Sequence, residues 1–208
     1  MKYAINIIIK IIGDIYHLIY PIKLEIKLNH LLDKIYTQRI SKEFKSTGEK
    51  IYIFRKIFLA NPSKISIGSN VKIYSNTILA VHTETRNKDA FIEIGDNTII
   101  GEFTHITSCN KIIIGKGVLT GRRVTITDNS HGKTTLEEMK IPPNKRALYS
   151  KGPVLIEDNV WIGDNVVILP NITIGTSSII GASSVVNRNI PPYSIAVGNP
   201  IKIVKTNN

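Results

Sequence analysis

The chain is poor in the residues that cross-link or metallate small proteins. One cysteine, Cys109, among 208 residues excludes an internal disulfide and a zinc site built from thiolates. A lone cysteine also fits a reducing cytoplasm. Acidic residues are scarce: 16 Asp+Glu stand against 27 Lys+Arg, for a formal charge of +11. The excess is densest at the start, where residues 1–56 hold 11 basic and 5 acidic groups. Such a balance suits polyanions, acidic lipid or a phosphate-rich cofactor, or is simply a bias of an Ile/Lys/Asn-rich chain. The interleaving of basic and aromatic residues typical of nucleic-acid readers is missing.

Long apolar runs are missing too. Residues 3–22 are apolar but contain Lys10, Asp14 and His17. The longest uncharged run among them, Tyr3 to Ile9, falls well short of the roughly 20 residues that cross a bilayer. No small-residue cleavage pattern follows it, which argues against a secretory leader.

What the chain does have is a repeat. Ile156, Ile162, Ile168, Ile174, Ile180 and Val186 recur at intervals of six, with Gly163, Gly175 and Gly181 directly after three of them. The same frame runs upstream through Ile67, Ile73 and Leu79, then Ile94, Ile100 and Ile106, then Ile114, Thr120 and Ile126. Three hexads make an 18-residue set, and five sets can be read. A period of six keeps no helical face apolar, so an α-helix is excluded. The pattern predicts a three-sided coil of short parallel strands. The repeat residue points inward and stacks on its equivalents, and Gly or Asn eases each corner. Handedness does not follow from spacing, since the usual rule for crossovers favours the right hand.

The frame breaks between Leu79 and Ile94, between Ile106 and Ile114, and over the long interval from Ile126 to Ile156. Long loops on a rigid scaffold are candidates for function. Residues 1–60 read as an N-terminal helical or capping segment and 61–205 as the coil domain. Residues 22–46 carry an imperfect helical apolar face that Gly48 would stop. That helix either caps the open end of the coil or lies on a membrane surface, giving peripheral association. Pro191-Pro192 ends the repeat, and Ile195–Lys205 supplies a last strand or cap.

Three motifs stand beside the repeat: Thr127-Asp128-Asn129-Ser130-His131-Gly132, Val160-Trp161-Ile162-Gly163, and Val197-Gly198-Asn199-Pro200-Ile201-Lys202. Over Ile65 to Lys205 the chain resembles the hexapeptide-repeat acyltransferases, especially sugar O-acetyltransferases of the maltose/galactoside and xenobiotic group. The resemblance implies an all-β, left-handed parallel β-helix with a protruding His-bearing loop. It implies a homotrimer with active sites between subunits, acetyl-CoA as co-substrate, and a sugar or glycan acceptor from a surface polysaccharide or its precursor. Ile201 departs from the alanine usual there, which bears on how the tail packs.

A sugar hydroxyl is a poor nucleophile until a base takes its proton, and histidine suits that task at neutral pH. The resemblance makes His131 this base. Asp128 either holds the imidazole tautomer or forms an Asx-turn at the corner. His105 precedes inward Ile106, so its side chain should face outward, as an acceptor contact or a solvated strand residue. Trp161 is a candidate for the pantetheine arm or a subunit contact, and Gly163 and Ala182 would let that arm approach the backbone. Asn187, Arg188 and Lys202 are candidates for the nucleotide phosphates, with Ser150 and Lys151 at the loop exit beside them. Cys109 reads as a small buried residue, not a nucleophile. The γ-class carbonic anhydrases share this coil but need three metal-binding histidines; the five here include no His-x4-His pair, so no metal is expected. A non-catalytic scaffold and an N-acyltransferase acting on an amino-sugar are the competing functions.

Overall fold

The computed structural model describes residues 1–84 and 88–207. The expected bulge at His82–Ala90 therefore lies partly outside the described residues. Three parallel sheets form the sides of the coil. Sheet A stacks Ser46–Thr47, Ile65–Ile67, Phe91–Ile94, Lys111–Ile114, Val154–Ile156 and Ile172–Ile174. Sheet B runs from Tyr52–Ile53 to Ser194–Val197, and an antiparallel edge strand, Lys202–Thr206, closes it. Sheet C runs from Phe58–Ala60 to Val185–Val186. This arrangement fits a left-handed parallel β-helix.

The register follows the hexad frame. Ile67, Ile94, Ile114, Ile156 and Ile174 are directly paired along sheet A, and all are buried. β-Branched side chains suit such a ladder, and burying each contributes about 1.5–3 kcal/mol. Most corners use left-handed backbone: Asn70, Asn97 and Asn159 between sheets A and B, Asn76 and Asn165 between B and C. Asparagine tolerates that region better than most residues. Gly163 is needed for a different reason. A Cβ there would lie 2.6 Å from the backbone nitrogen of Ala182 in the next coil.

The coil begins at Ser46, ahead of residue 61. Thr47, Ile53 and Leu59 keep the six-residue spacing and pair with Ile67, Ile73 and Leu79. Two helices precede it, α1 (Lys2–Ile19) and α2 (Ile22–Ile40), so α2 ends six residues before the expected boundary and α1 adds a helix. They meet at Pro21 with a bend of 53°. The C-terminal half of α2 covers the open end of the coil. The Thr37 hydroxyl bonds both backbone groups of Ile53, at 2.9 and 3.0 Å. The Asp33 carboxylate accepts from the Arg55 backbone N–H and from its guanidinium. Ile40 and Phe44 join the core. At the other end Ile201 is fully buried in that core, so the larger residue is packed, not displaced.

All three breaks in the hexad frame exit at one corner, between sheets C and A. His82–Ala90 leaves after Ile78–Val81, Cys109–Asn110 after His105–Ser108, and 128–153 after Thr125–Thr127.

Candidate functional site

The longest excursion is an ordered hairpin. Ser130–His131 pairs antiparallel with Leu148–Tyr149, so His131 sits on a two-residue rung and is exposed. Beyond the rung, the short helix α3 (Leu136–Met139) is capped by the Thr135 hydroxyl, which accepts from the Glu138 backbone N–H. The Glu138 carboxylate in turn accepts from the Lys133 backbone N–H. Arg146 donates to the carbonyls of Ile141 and Met139. These bonds close the loop on itself, and the Lys133 ammonium lies 5.2 Å from the centre of the Tyr149 ring.

Below the hairpin lies a cavity of about 790 Å³. Ser130, Gly132 and Tyr149 of the hairpin line one side, and Lys151, Asn187 and Arg188 another. Lys151 and Arg188 make no ion pair among the described residues, so both cations remain available to an anion. Leu169 and Asn187 also line the cavity, 18 residues apart at the same corner of successive coils. The repeat frame could have located that wall; nothing in sequence marks the contribution of Tyr149, which depends on antiparallel pairing with Ser130.

Asp128 does not hold the imidazole. It is fully buried, and its carboxylate accepts from the Ser108 hydroxyl at 2.6 Å and from the backbone N–H groups of Cys109, Asn110 and Lys111 at 2.7–3.0 Å. No bond to His131 exists among the described residues. The Asx-turn alternative captures the type of contact, though the amides belong to the preceding coil. Ser150 is also a turn residue: its hydroxyl bonds the N–H and the carbonyl of Gly152 and accepts from the Asn110 side chain.

Of the candidates only Lys151, Asn187 and Arg188 line this cavity; His131, between Ser130 and Gly132, does not, and the others lie off it. Trp161 is half exposed on the outer face of sheet B, paired with Leu119 and Ile179. Lys202 pairs with Val197 at the edge of the same sheet. The space a side chain would need at Gly163 is taken by Ala182, so its smallness has a structural cause before any ligand is considered. His105 faces outward from sheet C, with Ile78 and Thr125 as strand neighbours. What burial its ring has, and secondarily nearby His82, hold its pKa below the ordinary imidazole value. Cys109 is buried, and burial followed by the Asp128 charge pushes its thiol up to about 11. A thiol of that kind stays protonated at neutral pH and is a poor nucleophile.

Residues 153–188 match the family model for the bacterial transferase hexapeptide (six repeats). Those residues carry the bacterial transferase hexapeptide repeat. This hexapeptide-repeat chain is 38% identical over 128 residues to the putative lipopolysaccharide biosynthesis O-acetyl transferase WbbJ of Escherichia coli, covering 58% of this chain and 65% of that protein. It is 32% identical over 163 residues to the probable acetyltransferase Rv3034c of Mycobacterium tuberculosis, covering 71% and 53%. The chain thus spans less than two thirds of the length of both relatives. Among solved structures, a maltose O-acetyltransferase from Clostridium difficile superposes with a TM-score of 0.57 at 28% identity, over 88% of this chain and 83% of that one. AntD, an N-acyltransferase from Bacillus cereus in complex with dTDP and 3-hydroxybutyryl-CoA, shares the fold at 24% identity and a TM-score of 0.68, over 83% and 88%.

Proposed function

We propose that the chain is an acyl-CoA-dependent O-acyltransferase that moves an acetyl group from acetyl-CoA to a sugar hydroxyl of a surface polysaccharide or its precursor. The observation that carries this reading is an exposed imidazole, His131, on a hairpin rung whose neighbours Ser130 and Gly132 line a cavity together with Lys151 and Arg188, two cations without an ion pair among the described residues. In the reaction, His131 accepts the hydroxyl proton as the sugar oxygen bonds to the thioester carbonyl carbon. The tetrahedral adduct then collapses, the C–S bond breaks, and the imidazolium returns the proton to the departing sulfur. No acyl-enzyme forms. Lys151 and Arg188 attract CoA phosphates by their charge in this scheme, and the neutral Asn187 amide donates a hydrogen bond to them.

The other candidates fit a threefold assembly. Trp161 and Lys202 lie on sheet B, away from the His131 corner of the same chain. In a homotrimer the sheet B face of one copy meets the hairpin corner of the next, and the site combines both. His105 serves acceptor contact in this scheme. A CoA thioester donor makes the cytoplasm the place of work.

The test is an acyl-transfer screen with acetyl-CoA against neutral sugars and amino-sugars, read by mass spectrometry. A hydroxylamine-labile ester on a sugar is the expected product. A hydroxylamine-stable amide formed only with amino-sugars would assign N-acylation instead, and no transfer at all would leave a binding scaffold.

A further inference from the structure

We propose that α1 is an interfacial anchor that lies in the surface of an anionic lipid bilayer. Every residue of α1 is exposed, although twelve of its eighteen residues are Ile, Leu, Tyr or Ala. Its polar residues are confined to one stripe: Lys2, Asn6, Lys10 and Asp14 follow each other at intervals of four, and His17 continues the row. At 3.6 residues per turn this leaves an apolar arc of about 200° along a helix about 27 Å long. Ile5, Ile8, Ile12, Ile15 and Ile19 form its centre, between 48% and 73% exposed.

The width of the arc chooses the occupant. The central isoleucines have the 3,4 spacing of a coiled-coil seam, so a second copy of the chain is the obvious rival. A coiled coil buries that seam and usually carries charge on the flanking positions. Here those flanks are Ile9, Ile11, Tyr16 and Leu18. A pairing of helices would leave them in water, whereas a lipid interface takes in the whole arc and leaves the Lys2–His17 stripe at the headgroups. The stripe holds two lysines against one acid, and just past Pro21 Lys23 and Lys27 outnumber Glu25, so the net charge complements anionic lipid.

Spanning is the other rival, and the structure opposes it. Among the described residues no single helix is long and apolar enough to cross a membrane; only the bent pair of α1 with the following helical segment passes by length and composition. The C-terminal half of the second helix is held on the coil by Asp33, Thr37 and Ile40, so the pair as a whole cannot enter a bilayer. The inference rests on the helices and is independent of the acyl-transfer reading.

Vesicle flotation with the full chain tests it, using phosphatidylcholine vesicles with and without phosphatidylglycerol. The protein should float with the anionic vesicles, more weakly with the zwitterionic ones. The double variant Ile8→Asp/Ile12→Asp should lose at least about tenfold in vesicle affinity, since it puts charge at the centre of the buried arc. Its light-scattering mass without lipid should match that of the parent. Lys2→Gln/Lys10→Gln should lower the preference for phosphatidylglycerol and keep the remaining binding. No flotation, or equal flotation of the Ile8/Ile12 variant, overturns the proposal. A drop in oligomer mass of that variant in the absence of lipid also overturns it, by giving the face to a second copy.

Discussion

The Asp128 carboxylate and the Ser108 hydroxyl lie 2.6 Å apart, and the contact joins the foot of the long hairpin to the short insertion one coil earlier. The same carboxylate gathers three backbone amides from Cys109 to Lys111. The corner that carries the hairpin is therefore fastened to its neighbour by a buried charge with its bonding capacity well used, which is the condition under which such burial is tolerated.

Asp128→Ala should destabilise the fold by about 3 kcal/mol, because several buried donors lose their acceptor at once. Urea unfolding would show this as a lower midpoint at similar slope. Asp128→Asn should recover part of the loss, since an amide oxygen can still accept from part of the turn.

His131→Ala should leave stability and CoA affinity near those of the parent, because the side chain is exposed and the rung is a backbone feature. Turnover should fall by about 10²–10⁴-fold, the usual contribution of a general base. Near-parental turnover in a folded His131→Ala protein would remove the proposed mechanism.

Arg188→Gln should raise KM for acetyl-CoA and change kcat little, the signature of lost ground-state binding. The affinity for CoA should also weaken as salt rises, because exposed cations are screened. An affinity for CoA that ignores both the substitution and the salt would take the phosphates away from the Lys151–Arg188 wall.

His105 should titrate below an exposed reference histidine in an NMR pH series, from its ring burial and then from His82. His82→Gln should move the midpoint part of the way back up. In the window between the ordinary imidazole value and the lowered one, the unfolded chain binds a proton that the folded chain does not. This group's contribution to stability therefore falls as pH drops through that window.

Cys109 should resist alkylation at neutral pH in the native protein, with its thiol held at about 11, and react promptly once the chain is unfolded in denaturant. Cys109→Ala should leave acyl transfer intact. Rapid native labelling would contradict the buried, protonated state.

The inward ladder from Ile67 to Ile174 was legible because each coil repeats one decision, a β-branched residue, replaced once by Leu79, at every sixth position. The coil before it was not. Thr47 occupies the first inward site, and Lys50 and Lys56 hold left-handed backbone where Asn or Gly is the usual choice. The helix α1 was hidden by Lys10, Asp14 and His17, polar residues that interrupt its apolar run and become a single stripe only once the helical turn is known. At the site, the cations Lys151 and Arg188 could be named from their place near the loop exit and the last repeats. The task of Asp128 could not, because its partners lie 17–20 residues upstream and are mostly backbone groups, which carry no side-chain signature.

The shared exit corner has a consequence for how such a chain can vary. Residues added between sheets C and A lengthen a segment that has already left the ladder. The count from sheet A to B and from B to C stays at six, so no strand changes partner and no inward isoleucine changes level. A graft at 128–153 or at His82–Ala90 would be felt locally, while one extra residue at Asn159 or Asn165 would turn every following side chain of that side inside out. The fold thus separates the part that can be rewritten from the part that must be counted.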